Sequence, residues 1–113
     1  MIRHTILFKV KSDVTNDEIN AAFMAIQELG NKLPGIFAIK TDECHFHDEK
    51  SRDFFTHSMR GVSHTISIDF VDQEALDNFF NNPVTYPAKN SIVKITENGY
   101  NGIVGFDLEN KDI

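Results

Sequence analysis

Two stretches of the chain alternate between apolar and polar residues, and each aligns one histidine with the apolar positions. The first stretch contains Ile2, His4, Ile6, Phe8 and Val10. The second contains Val62, His64, Ile66, Ile68 and Phe70. Successive side chains of a strand point to opposite faces, so both patterns predict a strand with one buried face. Because a buried imidazole needs a hydrogen-bond partner, we expect specific partners for His4 and His64 or a hydrated pocket beside the sheet.

A helix is predicted after the first strand. Thr15 and Glu18 have the spacing of a capping box, which is typical of a helix start. Apolar residues then recur at three- and four-residue intervals, which predicts one face against the sheet: Ile19, Ala22, Phe23, Ile26, Leu29 and Leu33. Pro34 and Gly35 end the helix, because proline lacks a donor and glycine permits a sharp turn.

Two further helices are predicted after the second histidine-containing strand. Asp72 is the expected cap of a short helix whose apolar residues turn inward: Ala75, Leu76, Phe79 and Phe80. Asn82 and Pro83 stop this helix. Pro87 fits the first turn of the next helix, for which Thr85 is a candidate cap.

Two more strands, at about residues 36–41 and 103–108, complete the predicted fold. The order of elements favours an α+β fold, with an antiparallel sheet that carries helices on one face and has its first and third strands in the middle. Residues 1–109 then form a single domain, followed by a polar tail at 110–113. Residues 42–60 are predicted to form a long, irregular hairpin arm, and the alternative is a mobile loop.

Composition narrows the classes of function. The chain has 113 residues and a formal net charge of −6, and its basic residues are scattered, which opposes binding to nucleic acid. Its single cysteine, Cys44, excludes an internal disulfide. The N-terminus enters an amphipathic strand and contains no apolar run of signal-peptide or membrane-span length. We therefore expect a cytoplasmic protein without a membrane partner.

The predicted arm contains a candidate metal site. His45 and His47 share one face of an extended segment, and His57 would lie across from His45 if the arm turned near residues 50–51. Imidazoles beside a carboxylate suit zinc, nickel or copper. The alternative is a solvated polar arm without a metal, because a His-x-His pair alone has little specificity as a metal motif.

Five segments in order resemble the stress-responsive A/B barrel, or Dabb, family. They are residues 1–11, 33–36, 61–64, 79–83 and 104–107. The resemblance spans nearly the whole chain and implies a ferredoxin-like fold. It also implies a homodimer in which two sheets face one another to form an α/β barrel with the helices outside. Most members of the family are small proteins without a defined reaction.

One plant branch of this family resembles aromatic polyketide cyclases, whose pocket is lined by histidines of the first and third strands and of a His-Pro-x-His segment. His4 and His64 match the two strand positions. Asn82 and Thr85 stand where that segment has its histidines, and Phe79 stands where the branch has a tyrosine. A cyclisation of this type needs a base and donors for the developing enolate, so these replacements remove most of the machinery.

The leading hypothesis is therefore a homodimer that binds a small apolar or aromatic molecule between sheet and helices, without a cofactor. The expected contacts are His4, His64, Phe8, Phe23, Phe79 and Thr85. The alternative is a cofactor-free pocket enzyme, cyclase-like or monooxygenase-like, with His64 as base and His4 beside it. A third hypothesis is a structural or stress-related assembly protein with an empty pocket. The first two hypotheses depend on His4 and His64 sharing one hollow under the helices.

Overall fold

A computed structural model describes residues 1–45, 48–50 and 61–109 of the chain. The described strands are β1 (Ile2–Phe8), β2 (Ile36–Glu43), β3 (His64–Phe70) and β4 (Val104–Glu109). Within the described residues, the α-helices are α1 (Asn16–Lys32), α2 (Gln73–Asn81) and α3 (Tyr86–Ile95), and Glu49 and Lys50 are also helical. Short 3-10 segments at Pro83–Thr85 and Gly99–Gly102 precede α3 and β4. Within these residues, no helix is long and apolar enough to cross a membrane.

The strands form one antiparallel sheet in the order β2-β3-β1-β4, which confirms the predicted ferredoxin-like topology. Both histidine-containing strands lie in the middle. β1 ends at Phe8, two residues before the alternating pattern does, because the Val10 N–H donates to Oγ of Ser63 at 2.9 Å and leaves the ladder. Val10 keeps only an isolated bridge to Thr96.

β2 is longer than predicted. It continues to Glu43 because β3 still offers partners, with Asp42 opposite Thr65 and Glu43 opposite His64. The first residues assigned to the arm therefore belong to the sheet. Most of the remainder of the predicted arm, residues 46–47 and 51–60, lies outside the described residues, as does the predicted tail at 110–113.

The capping signals for the first two helices are confirmed. Oγ1 of Thr15 accepts from the Glu18 N–H at 3.2 Å, and the Thr15 N–H donates to Oε1 of Glu18 at 3.4 Å. These reciprocal bonds satisfy backbone groups that the first turn of α1 leaves unpaired. Asp72 caps α2 by accepting from the Ala75 N–H at 2.9 Å.

Two expectations about α2 and α3 are wrong. Thr85 occupies the position before α3 without capping it, because its hydroxyl donates instead to the backbone oxygen of Asn82 at 2.8 Å. Phe80 is not a core residue, since 44% of it is exposed. Its ring lies edge-on to His4 at the border of a cavity, while Phe79 beside it is buried.

The turn between α1 and β2 requires glycine. Gly35 has φ +81°, and a Cβ at this position would lie 2.5 Å from Cβ of Ala75 in α2. The Gly35 carbonyl accepts from the Val71 N–H at 2.9 Å. Glycine thus allows the turn to pack directly against the start of α2.

The core fills the space between the sheet and the helices, and it includes Phe8, Ile26, Leu29, Ile66, Ile68, Phe70, Leu76, Phe79 and Ile92. On the opposite sheet face, Arg3 and Asp69 form two hydrogen bonds of 2.7 and 3.1 Å. The Arg3 guanidinium, chiefly through this hydrogen bonding, lowers the pKa of the Asp69 carboxyl. At the edge of that face, β4 exposes Val104, Phe106 and Leu108.

Candidate functional site

A cavity of about 390 Å³ lies between the sheet and helices α2 and α3. Its aliphatic lining comes from Ile6, Ile26, Ile66, Ile68, Ile92, Val93 and Ile103. Its aromatic lining comes from Phe79, Phe80, Tyr86 and Tyr100. The other described residues of the lining are His4, Lys89 and Asn90. Sites for small molecules commonly enclose about 300–1,000 Å³ within mostly apolar walls and have a few placed polar groups, and this cavity has those properties.

His4 lies in the cavity wall, where its side chain is hydrogen-bonded to Asp107 of β4. In the sheet it lies between Ile68 of β3 and Asp107 of β4, and its Nδ1 is 2.7 Å from Oδ1 of Asp107. An ionised carboxylate only accepts hydrogen bonds, so Nδ1 carries a proton and donates it. In the neutral ring, Nε2 is then an acceptor. The Asp107 contact selects this tautomer, and the Phe80 ring, which lies edge-on to the imidazole with the ring centroids 5.0 Å apart, restricts its orientation.

Lys89 brings a cation to the aromatic side of the cavity. It extends from α3, and its Nζ donates to the backbone oxygen of Phe79 at 3.1 Å. The same nitrogen lies 4.6 Å from the ring centroid of Phe79 and 5.0 Å from that of Phe80. Partial burial lowers the pKa of Lys89, because removal of water disfavours the ammonium.

His64 does not share this cavity, so the expectation of one common hollow is wrong. His4 lies opposite Ile68 and His64 lies opposite Phe8, which separates the two histidines by four positions along the sheet. At roughly 3.3 Å per residue this is about 13 Å. His64 is 8% exposed and stacks on Phe8 with the ring centroids 6.1 Å apart.

The surroundings of His64 are those of a core residue. Its Nδ1 lies 2.7 Å from Oγ of Ser63, and the Phe23 ring contacts it edge-on at 5.8 Å. Burial lowers the pKa of His64, and the charge of Glu43 opposes that shift. Burial therefore favours the neutral form of this imidazole, which lies between two phenylalanines.

Of the other four predicted ligand contacts, one lines the cavity and three do not. Phe79 lines the cavity with His4. Phe8 and Thr85 are fully buried and do not line it. Phe23 packs near His64, away from the cavity. The structure thus brings together two of the six predicted contacts, His4 and Phe79, and adds residues that the pattern did not indicate.

Sequence reasoning missed Asp107 and Lys89. A signal for Asp107 was present, because antiparallel pairing of the first and last strands places it opposite His4. Lys89 gave no comparable signal, since a lysine in an amphipathic helix is usually a solvated residue. Only the packing of α2 against α3 shows that its amine meets aromatic rings.

The predicted metal site is tested only in small part. His45 is described, whereas His47 and His57 lie outside the described residues. Within residues 1–45, 48–50 and 61–109, no group of three histidine, cysteine, aspartate or glutamate side chains is placed to hold a metal ion. Metal binding by the three histidines stays a prediction.

Several solved structures share this fold along nearly the whole chain. A dimeric ferredoxin-like protein of unknown function from Jannaschia sp. is 23% identical, with a TM-score of 0.78 over 96% of this chain and 98% of that one. Hydroxynitrile lyase from Passiflora edulis is 19% identical, with a TM-score of 0.77 over 97% and 94%. The cofactor-independent oxygenase SnoaB from Streptomyces nogalater is 11% identical, with a TM-score of 0.70 over 97% and 92%. At these identities the likeness establishes the fold alone.

Comparison of the sequence with curated proteins finds no match. The model of the Stress responsive A/B Barrel Domain, however, matches residues 2–110. This match covers almost the whole chain and agrees with the sheet order and with the five segments singled out in the sequence. The chain therefore belongs to the stress-responsive A/B barrel (Dabb) family.

Proposed function

We propose that this protein binds a small apolar or aromatic molecule in the cavity between the sheet and helices α2 and α3. The observation that carries the proposal is the lining of the cavity, which combines apolar walls with an imidazole held in one tautomer by Asp107. Burial of an apolar ligand against such walls supplies affinity, and Nε2 of His4 supplies one oriented hydrogen bond. This proposal differs from the hypothesis based on the sequence, which required both histidines in one hollow, because His4 alone supplies the imidazole here. His64, Phe8, Phe23 and Thr85 do not line the cavity, and the role proposed for them is in stability.

A neutral fluorescent probe tests this proposal. Phenylnaphthylamine is apolar and aromatic, and its emission increases when it leaves water. We expect saturable enhancement with the purified protein, and loss of that enhancement in Val93→Trp, which fills the cavity from α3. Val84→Trp is the matched control, because Val84 is exposed and does not line the cavity. Equal enhancement in both variants would show that the probe binds elsewhere and would refute the proposal.

We also propose that the protein is a homodimer that pairs through the open face of the sheet. Val104, Phe106 and Leu108 form an exposed apolar row on β4, and such rows are typical of interaction surfaces. The structural relative from Jannaschia sp. is described as dimeric. Light scattering should give twice the mass of 12.9 kDa, and Phe106→Glu should give the monomer mass. A monomer in the parent protein would contradict this proposal.

Proton transfer is a second candidate function, and the His4–Asp107 pair favours it. A histidine whose Nδ1–H is bound by a carboxylate has its Nε2 available as a general base. Two proteins of similar fold are described as a hydroxynitrile lyase and a cofactor-independent oxygenase. His4 replaces His64 as the proposed base, since His64 does not line the cavity.

Deuterium exchange tests the candidate base without a known substrate. Acetonaphthone is an aromatic ketone with acidic methyl protons, and a base in the cavity would exchange them in heavy water. We expect NMR to show faster exchange with the parent protein than with His4→Phe. The same exchange rate in both proteins would refute a catalytic role for His4, and it would leave the binding proposal intact.

A further inference from the structure

Lys89, in the cavity wall, is surrounded by three aromatic rings, which is unusual for a lysine. Nζ of Lys89 lies 4.6, 5.0 and 5.9 Å from the ring centroids of Phe79, Phe80 and Tyr86. Aromatic faces attract a cation at these distances. One N–H donates to the backbone oxygen of Phe79. The ammonium is thus held in place by neutral groups, and its position at the cavity wall is fixed.

No carboxylate compensates this charge in the part of the chain that the structure describes. The ion pairs found there join Arg3 to Asp69, His4 to Asp107 and Lys9 to Glu97. The described residues that line the cavity include no aspartate or glutamate. Among the described lining residues, Lys89 is the only lysine, arginine, aspartate or glutamate, although the whole chain has a net charge of −6. A partly desolvated cation without an anion is unfavourable, and a bound anion relieves this cost.

The ammonium also has donors to spare. It carries three N–H groups, and the bond to Phe79 uses one of them. His4 is the other basic side chain of the described lining, and it donates its Nδ1–H to Asp107. An anionic oxygen that entered beside Lys89 would therefore meet an N–H donor that has no acceptor among the described residues. The surrounding surfaces are apolar and aromatic, and charge-assisted hydrogen bonds are strong there.

We propose that the ligand of this cavity is an apolar or aromatic carboxylate whose anionic group binds Lys89. The inference rests on the proposed binding function and names its ligand class. The carboxylate accepts from the ammonium while the aromatic body of the ligand lies against the isoleucines of β1 and β3. The aromatic rings around Nζ position the amine. No described carboxylate forms an ion pair with it.

A matched pair of ligands tests the inference by titration calorimetry. Naphthalene carboxylate and naphthalene carboxamide have nearly the same shape and differ in charge. We expect the parent protein to bind the carboxylate about ten- to a hundredfold more tightly than the amide, as a charge-assisted hydrogen bond predicts. Lys89→Met should make the two affinities equal, while Lys89→Arg, which keeps the charge, should retain the preference.

Lys94→Met is the matched control, because it removes the same charge from an exposed position of the same helix and should leave the preference unchanged. Circular dichroism would verify that Lys89→Met is folded, and Lys89→Gln provides a second neutral variant. Equal affinity for acid and amide in the parent protein would overturn the inference, as would a preference that survives in both neutral variants. If phenylnaphthylamine binds and the carboxylate does not, the ligand class alone is wrong. If no probe binds, the proposed binding function fails as well.

Discussion

The two histidine ends of the sheet begin from the same sequence pattern and reach opposite outcomes. At the His64 end, Phe8 of β1 and Phe23 of α1 pack directly on the imidazole. At the His4 end, the neighbours on the sheet are the smaller Ile66 and Ile68, and a cavity remains beneath α2 and α3. The size of the side chains that cover a histidine in an apolar stripe thus decides whether its ring is packed in the core or lines a cavity.

The partners of the two imidazoles differ in the same sense. His64 shares a hydrogen bond with Ser63, its neighbour in sequence, at 2.7 Å. His4 is bonded at the same distance to Asp107, which is 103 positions away in the chain. The Ser63 hydroxyl satisfies the buried ring of His64 locally, whereas the Asp107 carboxylate, which comes from another strand, orients the ring of His4.

The largest expected contrast between the two ends is in stability. Phe8 is fully buried, so Phe8→Ala should lower the free energy of unfolding by about 3–5 kcal/mol through lost burial and a new void. Phe80→Ala should cost clearly less, because Phe80 is 44% exposed and already borders empty space. Urea denaturation of both variants measures the difference. Equal losses would mean that the two ends are packed alike.

The next contrast is in ligand affinity. His4→Phe keeps a planar ring and removes Nε2 from the cavity, so affinity for phenylnaphthylamine should fall about three- to tenfold, the value of one neutral hydrogen bond. His64→Phe is the same change at the closed end and should leave affinity unchanged. Fluorescence titration measures both variants. A loss of affinity in His64→Phe of similar size would place His64 in the site after all.

The smallest contrast is in the pH dependence of stability. Burial, partly offset by Glu43, lowers the pKa of His64 below 6.5 in the folded state, so the unfolded chain binds its proton at a higher pH. The neutral His64 side chain therefore contributes fully to the free energy of unfolding above pH 6.5. That contribution is lost as the pH falls from 6.5 through the folded-state pKa. The slope for one proton is at most about 1.4 kcal/mol per pH unit.

Comparison of His64→Phe with His4→Phe isolates the pH dependence that is due to His64. His64→Phe should abolish the acid-side slope, and His4→Phe should retain it. Chemical denaturation at a series of pH values between 7 and the folded-state pKa measures both slopes. The Asp69 carboxyl does not interfere, because Arg3 holds its pKa below 3.8. An unchanged slope in His64→Phe would assign the dependence to another group.

Most of the fold could be predicted because its signals are local. The capping box at Thr15 and the apolar spacing that follows it define α1, and alternation defines both central strands. The errors occur where distant partners intervene. β1 is shorter than predicted because the Val10 N–H donates to the side chain of Ser63. Thr85 does not cap α3 because its hydroxyl donates to the backbone oxygen of Asn82.

Less of the candidate site could be predicted. His4 and Phe79, two of the predicted contacts, do line the cavity, since each lies on an apolar face that meets the opposite layer. Asp107 required knowledge of the register between β1 and β4. Lys89 required the relative placement of α2 and α3, which decides that its amine meets the ring of Phe79.

By itself the sequence determined which segments form strands and helices, which of their faces are buried, and that both histidines belong to the sheet face under the helices. Those properties follow from periodicity, which each segment carries alone. Only the tertiary structure decided that His4 faces open space and His64 does not. The reason is that a cavity is a difference between the volumes of side chains brought together from separate elements, and no single segment contains that information.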